Sequence, residues 1–281
     1  MNIGIVGLGL IGGSIAMKLR HNHNIYAMDI SQESLQYALD NGIIHQAYPD
    51  LDKLLSQVEV VFLALYPNEC RKFLKENMQR FHPGTIVIEV SGIKSGLVRD
   101  VAPIIPNDIE VVFTHPIAGR EKPGISNALE TLFDGQNFVI VPTKSNQKST
   151  LSTVEMLAGQ MGFKNISYLS PREHDEIIAY TSQLAHVIAL ALMETDDRKY
   201  DTGKLIGDSF RDLTRIAMIN APLWSELLLE NHKHLVPLID RLIDKLGKYR
   251  NLIHNKDSQA LSEQMQKMKT LRLELEKESD Q

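Results

Sequence analysis

The chain has 281 residues, a formal net charge of −5, 43% hydrophobic residues and a single cysteine. This length holds one large domain or two modest ones, and the acidic balance gives no general affinity for nucleic acid or anionic membranes. No apolar run reaches the roughly 18 residues of a membrane span, no basic segment marks a signal peptide, and one cysteine excludes an intramolecular disulfide. We therefore expect a cytoplasmic protein with no nucleic-acid partner and no membrane partner.

A glycine pattern near the N-terminus lies between a predicted strand (residues 3–6) and a predicted helix that begins at Ile11. Gly7 allows a tight turn, Gly9 lets the backbone approach a pyrophosphate, and Gly12 lets the helix pack closely on the strand. The N–H groups and the positive dipole end of the helix would face the phosphates. The contacts predicted in this loop are Gly7, Gly9, Leu10, Ile11 and Gly12.

A second apolar run, residues 25–28, ends in Asp29. Its distance from the glycines is close to the spacing of about 20 residues at which a carboxylate binds the adenosine ribose. Asp29 would repel a 2′-phosphate, and no arginine follows it in residues 30–32, so the pattern favours NAD over NADP. A glycine-rich turn in some other α/β protein is the alternative.

Further apolar runs alternate with helical patterns along the next 140 residues. They predict strands over residues 58–65, 85–90, 109–113, 138–141 and 165–169. The alternation predicts a doubly wound, mainly parallel sheet of the Rossmann-like α/β class, whose ligands bind at the carboxyl ends of the strands. Leu65 and Tyr66 end the first of these runs at the predicted cofactor edge. Ser91 follows the second, and His115 follows the third on a predicted turn.

The strand pattern stops at Ser170-Pro171, a favourable N-cap and N1 pair. Helices are predicted over residues 172–193, 205–218, 222–246 and 251–276. We therefore predict an NAD-binding domain over residues 1–169 and an all-α domain over residues 170–281. Residues 172–176 are typical of the polar first turn of a helix, and the apolar stripe of the last helix indicates core or dimer packing.

His115 is the first candidate for chemistry, because an imidazole with a pKa near 6.5 suits proton transfer at neutral pH. Asp212 and Arg215 are three residues apart on one helical face. They are either an ion pair or an arginine held ready for a substrate carboxylate. His186 lies on an apolar helix, where a core histidine is the default interpretation. No histidine cluster has the spacing of a metal pair, so no metal is expected.

Taken together, four segments resemble the prephenate dehydrogenase family. They are VGLGLIGGS at 6–14, HPIAGRE at 115–121, SQLAH at 182–186 and FRDLTRIA at 210–217. The glycine motif is generic, whereas the second and fourth segments are specific. The resemblance covers nearly the whole chain, in order and with the same domain division.

The resemblance implies an NAD-dependent oxidative decarboxylation of prephenate to 4-hydroxyphenylpyruvate in tyrosine biosynthesis, performed by a homodimer joined through its helical domain. It implies that His115 is the catalytic residue. The implied substrate residues are Arg215 for a carboxylate, His186, Asp212, Glu121 as part of a gate, and Ser91. The family often has Gly-Ser where this chain has Ser91-Gly92, and Leu-Pro-His where this chain has Ala185 before the histidine.

Three alternatives stay open from the sequence. An arogenate dehydrogenase would use a substrate with an amino group in place of the keto oxygen, and one pocket contact could decide between the two. A dehydrogenase of the β-hydroxyacid type would need a lysine at a glycine-rich helix start, and no matching segment is found. A non-enzymatic NAD-responsive module would have no need for His115 and Arg215 together.

Overall fold

The computed structural model describes residues 1–120 and 122–279, and residues 2–168 contain one eight-stranded sheet with helices in its connections. The strands are β1 (Asn2–Val6), β2 (Asn24–Met28), β3 (Gln46–Ala47), β4 (Val60–Leu63), β5 (Ile86–Glu89), β6 (Glu110–Ile117), β7 (Asn137–Val141) and β8 (Asn165–Tyr168). Their order is β3-β2-β1-β4-β5-β6-β7-β8, and every neighbouring pair is parallel except β6 with β7. The predicted doubly wound, mainly parallel sheet is confirmed.

Helices occupy most of the connections. They are α1 (Leu10–Leu19), α2 (Gln32–Asp40), α3 (Leu51–Leu55), α4 (Pro67–Asn77), α5 (Ser95–Val101), α6 (Lys148–Met161), α7 (Pro171–Ile178), α8 (Leu184–Glu194), α9 (Asp208–Thr214), α10 (Ala221–Glu230), α11 (His232–His254) and α12 (Ser258–Ser279). A π-helical turn, Ala179–Gln183, joins α7 to α8, and a 3₁₀ turn, Arg215–Ala217, follows α9.

Strand β4 shows that the sheet is buried on both faces. All four of its residues are buried. Val60 and Phe62 belong to one apolar cluster, and Val61 and Leu63 belong to a second. Side chains alternate between the faces of a strand, so helices must cover both sides, as in parallel sheets generally.

The chain order reverses at β1, because β2 lies on one side of it and β4 on the other. In open α/β sheets the crevice at such a switch point, outside the carboxyl ends of the strands, receives the ligand. The glycine loop of residues 7–12 leaves β1 at this edge. The topology therefore brings the predicted cofactor loop and the end of β4 together.

Strand β6 differs from its sequence prediction. The apolar run predicted a strand over 109–113 with His115 on a following turn, but β6 continues to Ile117. Antiparallel pairing with β7 sets His115 opposite Val139. His115 thus lies within the sheet, because a neighbouring strand supplies backbone partners that the local sequence does not reveal. The two-residue strand β3 was also not predicted.

The helices after β8 follow the predicted order along the chain. The predicted helix 222–246 is interrupted at Asn231, between α10 and α11. By internal contacts the chain divides into one compact unit of Met1–His232 and a second from Lys233 onward. Helices α7 to α10 therefore pack with the sheet unit, and the domain boundary at residue 169 stays a prediction.

One described stretch, Pro171–Glu194, has the length and hydropathy of a membrane span. It includes the buried polar residues His174, Asp175 and Gln183. Core helices of globular proteins pass the same test, so this stretch is weak evidence for a span.

Candidate active site

The glycine loop has the geometry of a dinucleotide site. Gly7 has φ +95°, in the left-handed region, and a Cβ there would lie 2.5 Å from the Ala64 carbonyl oxygen. A Cβ on Gly12 would lie 1.9 Å from the Gly7 carbonyl oxygen, whereas one on Gly9 would meet nothing within 4 Å. The backbone conformation of this loop therefore requires glycine at positions 7 and 12. Gly9 leaves open space at the start of α1, where the first N–H groups of a helix have no partner within the helix.

Asp29 is fixed beside this loop. Its two carboxylate oxygens accept hydrogen bonds from different backbone groups, Oδ2 from the Leu8 N–H and Oδ1 from the Ser31 N–H at 2.7 Å. Each oxygen keeps further acceptor capacity. A fixed carboxylate beside a glycine loop fits the diol of a ribose next to a bound pyrophosphate, so these residues fit NAD.

A cleft of about 450 Å³ extends from this loop to the helices of the same unit. Nine predicted site residues line it, namely Gly9, Leu10, Ile11, Leu65, Tyr66, Ser91, His115, His186 and Arg215. Gly7, Gly12 and Asp29 are not among its lining residues. Asp212 is exposed on α9 and does not line the cleft either. Glu121 lies outside the described residues.

His115 enters the cleft from β6 and is partly buried. Its Nδ1 lies 2.9 Å from Nε2 of His174. Its other ring nitrogen, Nε2, is 3.6 Å from where a Cβ on Gly92 would lie. Burial is the main cause that holds the pKa of His115 well below 6.5, and the neighbouring His174 and the Lys94 ammonium lower this pKa further. The imidazole is therefore neutral at pH 7 and able to accept a proton.

A buried histidine–aspartate pair lies behind His115. His174 Nδ1 is 2.7 Å from Asp175 Oδ1. Burial lowers the pKa of His174, and the bond to Asp175 opposes this only in part. Burial raises the pKa of Asp175, but hydrogen bonds with His174 and Ser95 outweigh it, so the carboxyl pKa is lowered.

The sequence analysis missed this pair by assigning residues 172–176 to a solvated helix turn. Ser170 does cap that turn, in a capping box with Glu173. The available signal was the helical period, which puts His174 on the same face as Ile178, and both are buried.

A buried ion pair lies beside Ser91, which lines the cleft. Lys94 Nζ donates to Glu89 Oε2 at 2.6 Å and to the Ser91 carbonyl oxygen at 2.6 Å, and both charged side chains are fully buried. The Ser91 hydroxyl donates to the Ile93 carbonyl oxygen at 3.4 Å. Ser91 and Gly92 both line the cleft, and Gly92 lies next to Nε2 of His115. A substrate role for Ser91 stays a prediction.

His186 and Arg215 form the opposite side of the cleft. His186 stacks on Trp224 with ring centroids 3.6 Å apart. Its Nδ1 lies 2.9 Å from the Ser182 carbonyl oxygen, which can only accept, so Nδ1 carries a proton. Ser182 belongs to the π-helical turn, a feature often found at functional sites. Arg215 lines the cleft from the 3₁₀ turn after α9.

A second cavity lies in the unit that begins at Lys233, between α11 and α12. Lysines 245, 248 and 267 line it together with Tyr249 and apolar side chains, and no predicted site residue does. Among residues 1–120 and 122–279, no group of three or more His, Cys, Asp or Glu side chains could hold a metal ion.

Comparisons with known proteins agree with this geometry. Residues 15–166 match the family model described as prephenate dehydrogenase, nucleotide-binding domain, and residues 170–267 match the one described as prephenate dehydrogenase, dimerization domain. The chain is 28% identical to prephenate dehydrogenase of Bacillus subtilis over 92% of this chain and 71% of that protein. It is 26% identical to cyclohexadienyl dehydrogenase of Zymomonas mobilis over 99% of this chain and 97% of that protein.

A solved structure gives the same result. Prephenate dehydrogenase from A. aeolicus, in complex with hydroxyphenyl propionate and NAD⁺, superposes with a TM-score of 0.88 at 30% identity. The match covers 98% of each chain.

Proposed function

The chain belongs to the prephenate dehydrogenase family, and on this premise we propose that it catalyses the NAD-dependent oxidative decarboxylation of prephenate to 4-hydroxyphenylpyruvate. The observation that carries the proposal is the convergence of His115, His186 and Arg215 on a cleft that opens at the glycine loop. A dianionic ring substrate needs a base for its hydroxyl group and a cation for a carboxylate, and this cleft offers both.

His115 is the proposed base. Its lowered pKa keeps the imidazole neutral, so Nε2 can accept the proton of the ring hydroxyl group. The hydroxyl oxygen then forms a carbonyl as the hydride leaves the same carbon. When bound, NAD⁺ supplies the acceptor for that hydride.

The ring carboxylate is then lost as CO₂. This step makes the ring aromatic, and the overall reaction is therefore strongly favourable. The phenolate oxygen can then regain a proton from His115. No net proton is released from the substrate, which matches the formation of a neutral phenol.

Arg215 is the proposed partner of a substrate carboxylate, since a guanidinium can hold a carboxylate by two parallel hydrogen bonds. His186 is the proposed polar contact beside it. It lines the cleft, and its ring is held there by stacking on Trp224 and by the 2.9 Å contact of Nδ1 with the Ser182 carbonyl oxygen. Asp212 and Glu121 are also proposed to contribute to substrate binding near Arg215.

The proposed cofactor contacts are the glycine loop for the pyrophosphate and Asp29 for the adenosine ribose. The two hydrogen bonds that fix the Asp29 carboxylate support this assignment. We also propose that the protein acts as a cytoplasmic homodimer, for which the matched dimerization domain is the support.

The test is the absorbance of NADH with purified protein, NAD⁺ and prephenate, with NADP⁺ and arogenate in parallel wells. We expect the signal to rise with NAD⁺ and prephenate, and kcat/KM to be higher for prephenate than for arogenate. A preference for arogenate would replace the proposed substrate. No signal in any well, with NAD⁺ still bound, would refute the proposed reaction.

A further inference from the structure

We propose that His174 and Asp175 are positioning residues that fix the tautomer of His115, leaving Nε2 of His115 unprotonated and facing the cleft. This inference rests on the proposed function for its kinetic consequence. The tautomer itself is a property of the unliganded protein. The three residues form one chain of hydrogen bonds from α7 to β6.

The chain of hydrogen bonds has a fixed direction because it begins at backbone donors. The Lys94 N–H donates to Asp175 Oδ1 at 2.9 Å, and the Ser95 N–H donates to Oδ2 at 2.7 Å. A backbone N–H can only donate, so Asp175 is held as an acceptor. Its partner at 2.7 Å, Nδ1 of His174, must therefore carry a proton.

The proton position on His174 in turn determines the proton position on His115. A neutral imidazole has one N–H, so Nε2 of His174 is an acceptor. The lowered pKa values of both histidines support their neutral state. Nδ1 of His115, 2.9 Å away, must then donate to it, and Nε2 of His115 is left without a proton.

Nothing else in the described chain performs this task. Among residues 1–120 and 122–279, the contact with His174 is the one hydrogen bond that the His115 ring makes. Gly92 lies on the Nε2 side, where a side chain would come within reach of the ring. The orientation of His115 is therefore controlled from the Nδ1 side.

The histidine–aspartate pair is itself rigidly held. Asn231 donates to the Asp175 carbonyl oxygen at 2.8 Å and to the Gln183 side-chain oxygen at 2.8 Å. The Ser95 hydroxyl donates to the Pro171 carbonyl oxygen at 3.0 Å. These bonds tie α7 to its neighbours, so the pair cannot easily rotate away from His115.

The decisive variant is Asp175→Asn, which keeps the shape but removes one acceptor. An amide that turns its NH₂ toward His174 would lose the bond from the Lys94 N–H but keep the bond from the Ser95 N–H, and it would donate to Nδ1. His174 would then donate from Nε2, and His115 would carry its proton on Nε2, where it cannot act as a base. We expect kcat to fall by about 10²-fold or more, with KM for NAD⁺ and prephenate within about twofold of wild type.

His174 provides a second, independent pair of variants that leaves the helix contacts of Asp175 in place. His174→Gln keeps an acceptor oxygen for His115 Nδ1–H, and we expect its kcat to stay within about tenfold of wild type. His174→Leu removes the acceptor and is expected to lose about 10²-fold or more. The matched control is Glu176→Gln, which removes an exposed carboxylate one residue from Asp175 and should match wild type.

Nitrogen-15 NMR of histidine-labelled protein reads the tautomer directly, with His115→Asn used to assign the His115 signals. We expect His115 to be protonated at Nδ1 in wild type and at Nε2 in Asp175→Asn. Protonation at Nε2 in wild type would overturn the proposal. So would a wild-type kcat in an Asp175→Asn protein whose His115 is protonated at Nε2, or equal activities for His174→Gln and His174→Leu. If Asp175→Asn does not fold, or keeps His115 protonated at Nδ1, the His174 pair and the wild-type spectrum decide. If wild type is inactive on prephenate, the proposed function fails, and the spectrum still tests the tautomer.

Discussion

The two ends of the cleft are built in different ways. The cofactor end uses backbone geometry within one short stretch, in which Gly7 and Gly12 shape a loop and Asp29 is fixed by two N–H groups. The base end uses side chains from separate elements, with His115 on β6 and His174 on α7, 59 residues apart in the chain. The geometry of the cofactor end depends on where the chain has glycines. The geometry of the base end depends on which strands and helices pack against each other.

This difference predicts different kinds of failure. A substitution in the glycine loop should disturb the local fold or the cofactor, because atoms there are already in close contact. A substitution at the base end should disturb the chemistry and leave cofactor binding intact, because its side chains act through hydrogen bonds and charge. Four measurements test this difference between the two ends.

The largest effect is expected from His115→Asn. We predict that kcat falls by about 10²-fold or more, the usual scale for removal of a general base, while the Kd for NAD⁺ stays at the wild-type value. Steady-state kinetics and a binding titration measure both. His82→Asn, at an exposed loop position, is the matched control. A mutant as active as wild type would remove His115 from the mechanism.

The glycine loop is tested by comparing Gly12→Ala with Gly9→Ala. The added methyl at position 12 would meet the Gly7 carbonyl oxygen, so we predict a loss of about 1–3 kcal/mol in the free energy of unfolding. At position 9 it meets nothing within 4 Å, so the unliganded protein should keep its stability while KM for NAD⁺ rises. Equal stability losses in both variants would contradict the assigned roles.

Arg215→Ala is expected to raise KM for prephenate about tenfold with little change in KM for NAD⁺. This lies at the low end for a charge-assisted pair, because Arg215 is exposed and water screens its charge. Arg211→Ala is the matched control, since Arg211 is an exposed arginine on α9 that pairs with Asp208. If only NAD⁺ binding weakens in Arg215→Ala, the carboxylate assignment is wrong.

The smallest effect concerns pH. Because the pKa of His115 lies below its ordinary value of about 6.5, kcat/KM should hold its plateau down through pH 6.5 and fall only at lower pH. The neutral His115 and His174 also favour the folded state above pH 6.5, and this contribution is lost as the pH falls toward their folded pKa values. Thermal unfolding in the same buffers separates the two effects. An acid limb centred above pH 6.5 would contradict the lowered pKa.

The fold class and nine of the residues that line the cleft were predicted from the amino-acid sequence. Local patterns were sufficient for the glycine loop, because the atoms that crowd Gly7 and Gly12 lie a few residues away or just after the adjoining strand β4. Continuous apolar runs such as the one containing β4 indicated strands buried on both faces. The family resemblance added His186 and Arg215, and both line the cleft.

Which polar groups contact each other depends on the packing of elements that are far apart in the chain. Helical periodicity could mark His174 as lying on a buried face, but it could not identify His115 as the partner, since that contact requires α7 to pack beside the end of β6. The pairing of β6 with β7 likewise placed His115 in a strand. A local sequence pattern can indicate that a residue lies on a buried face. The direction of its hydrogen bond depends on whether the residue that packs against it is a donor or an acceptor, and that residue comes from another part of the chain.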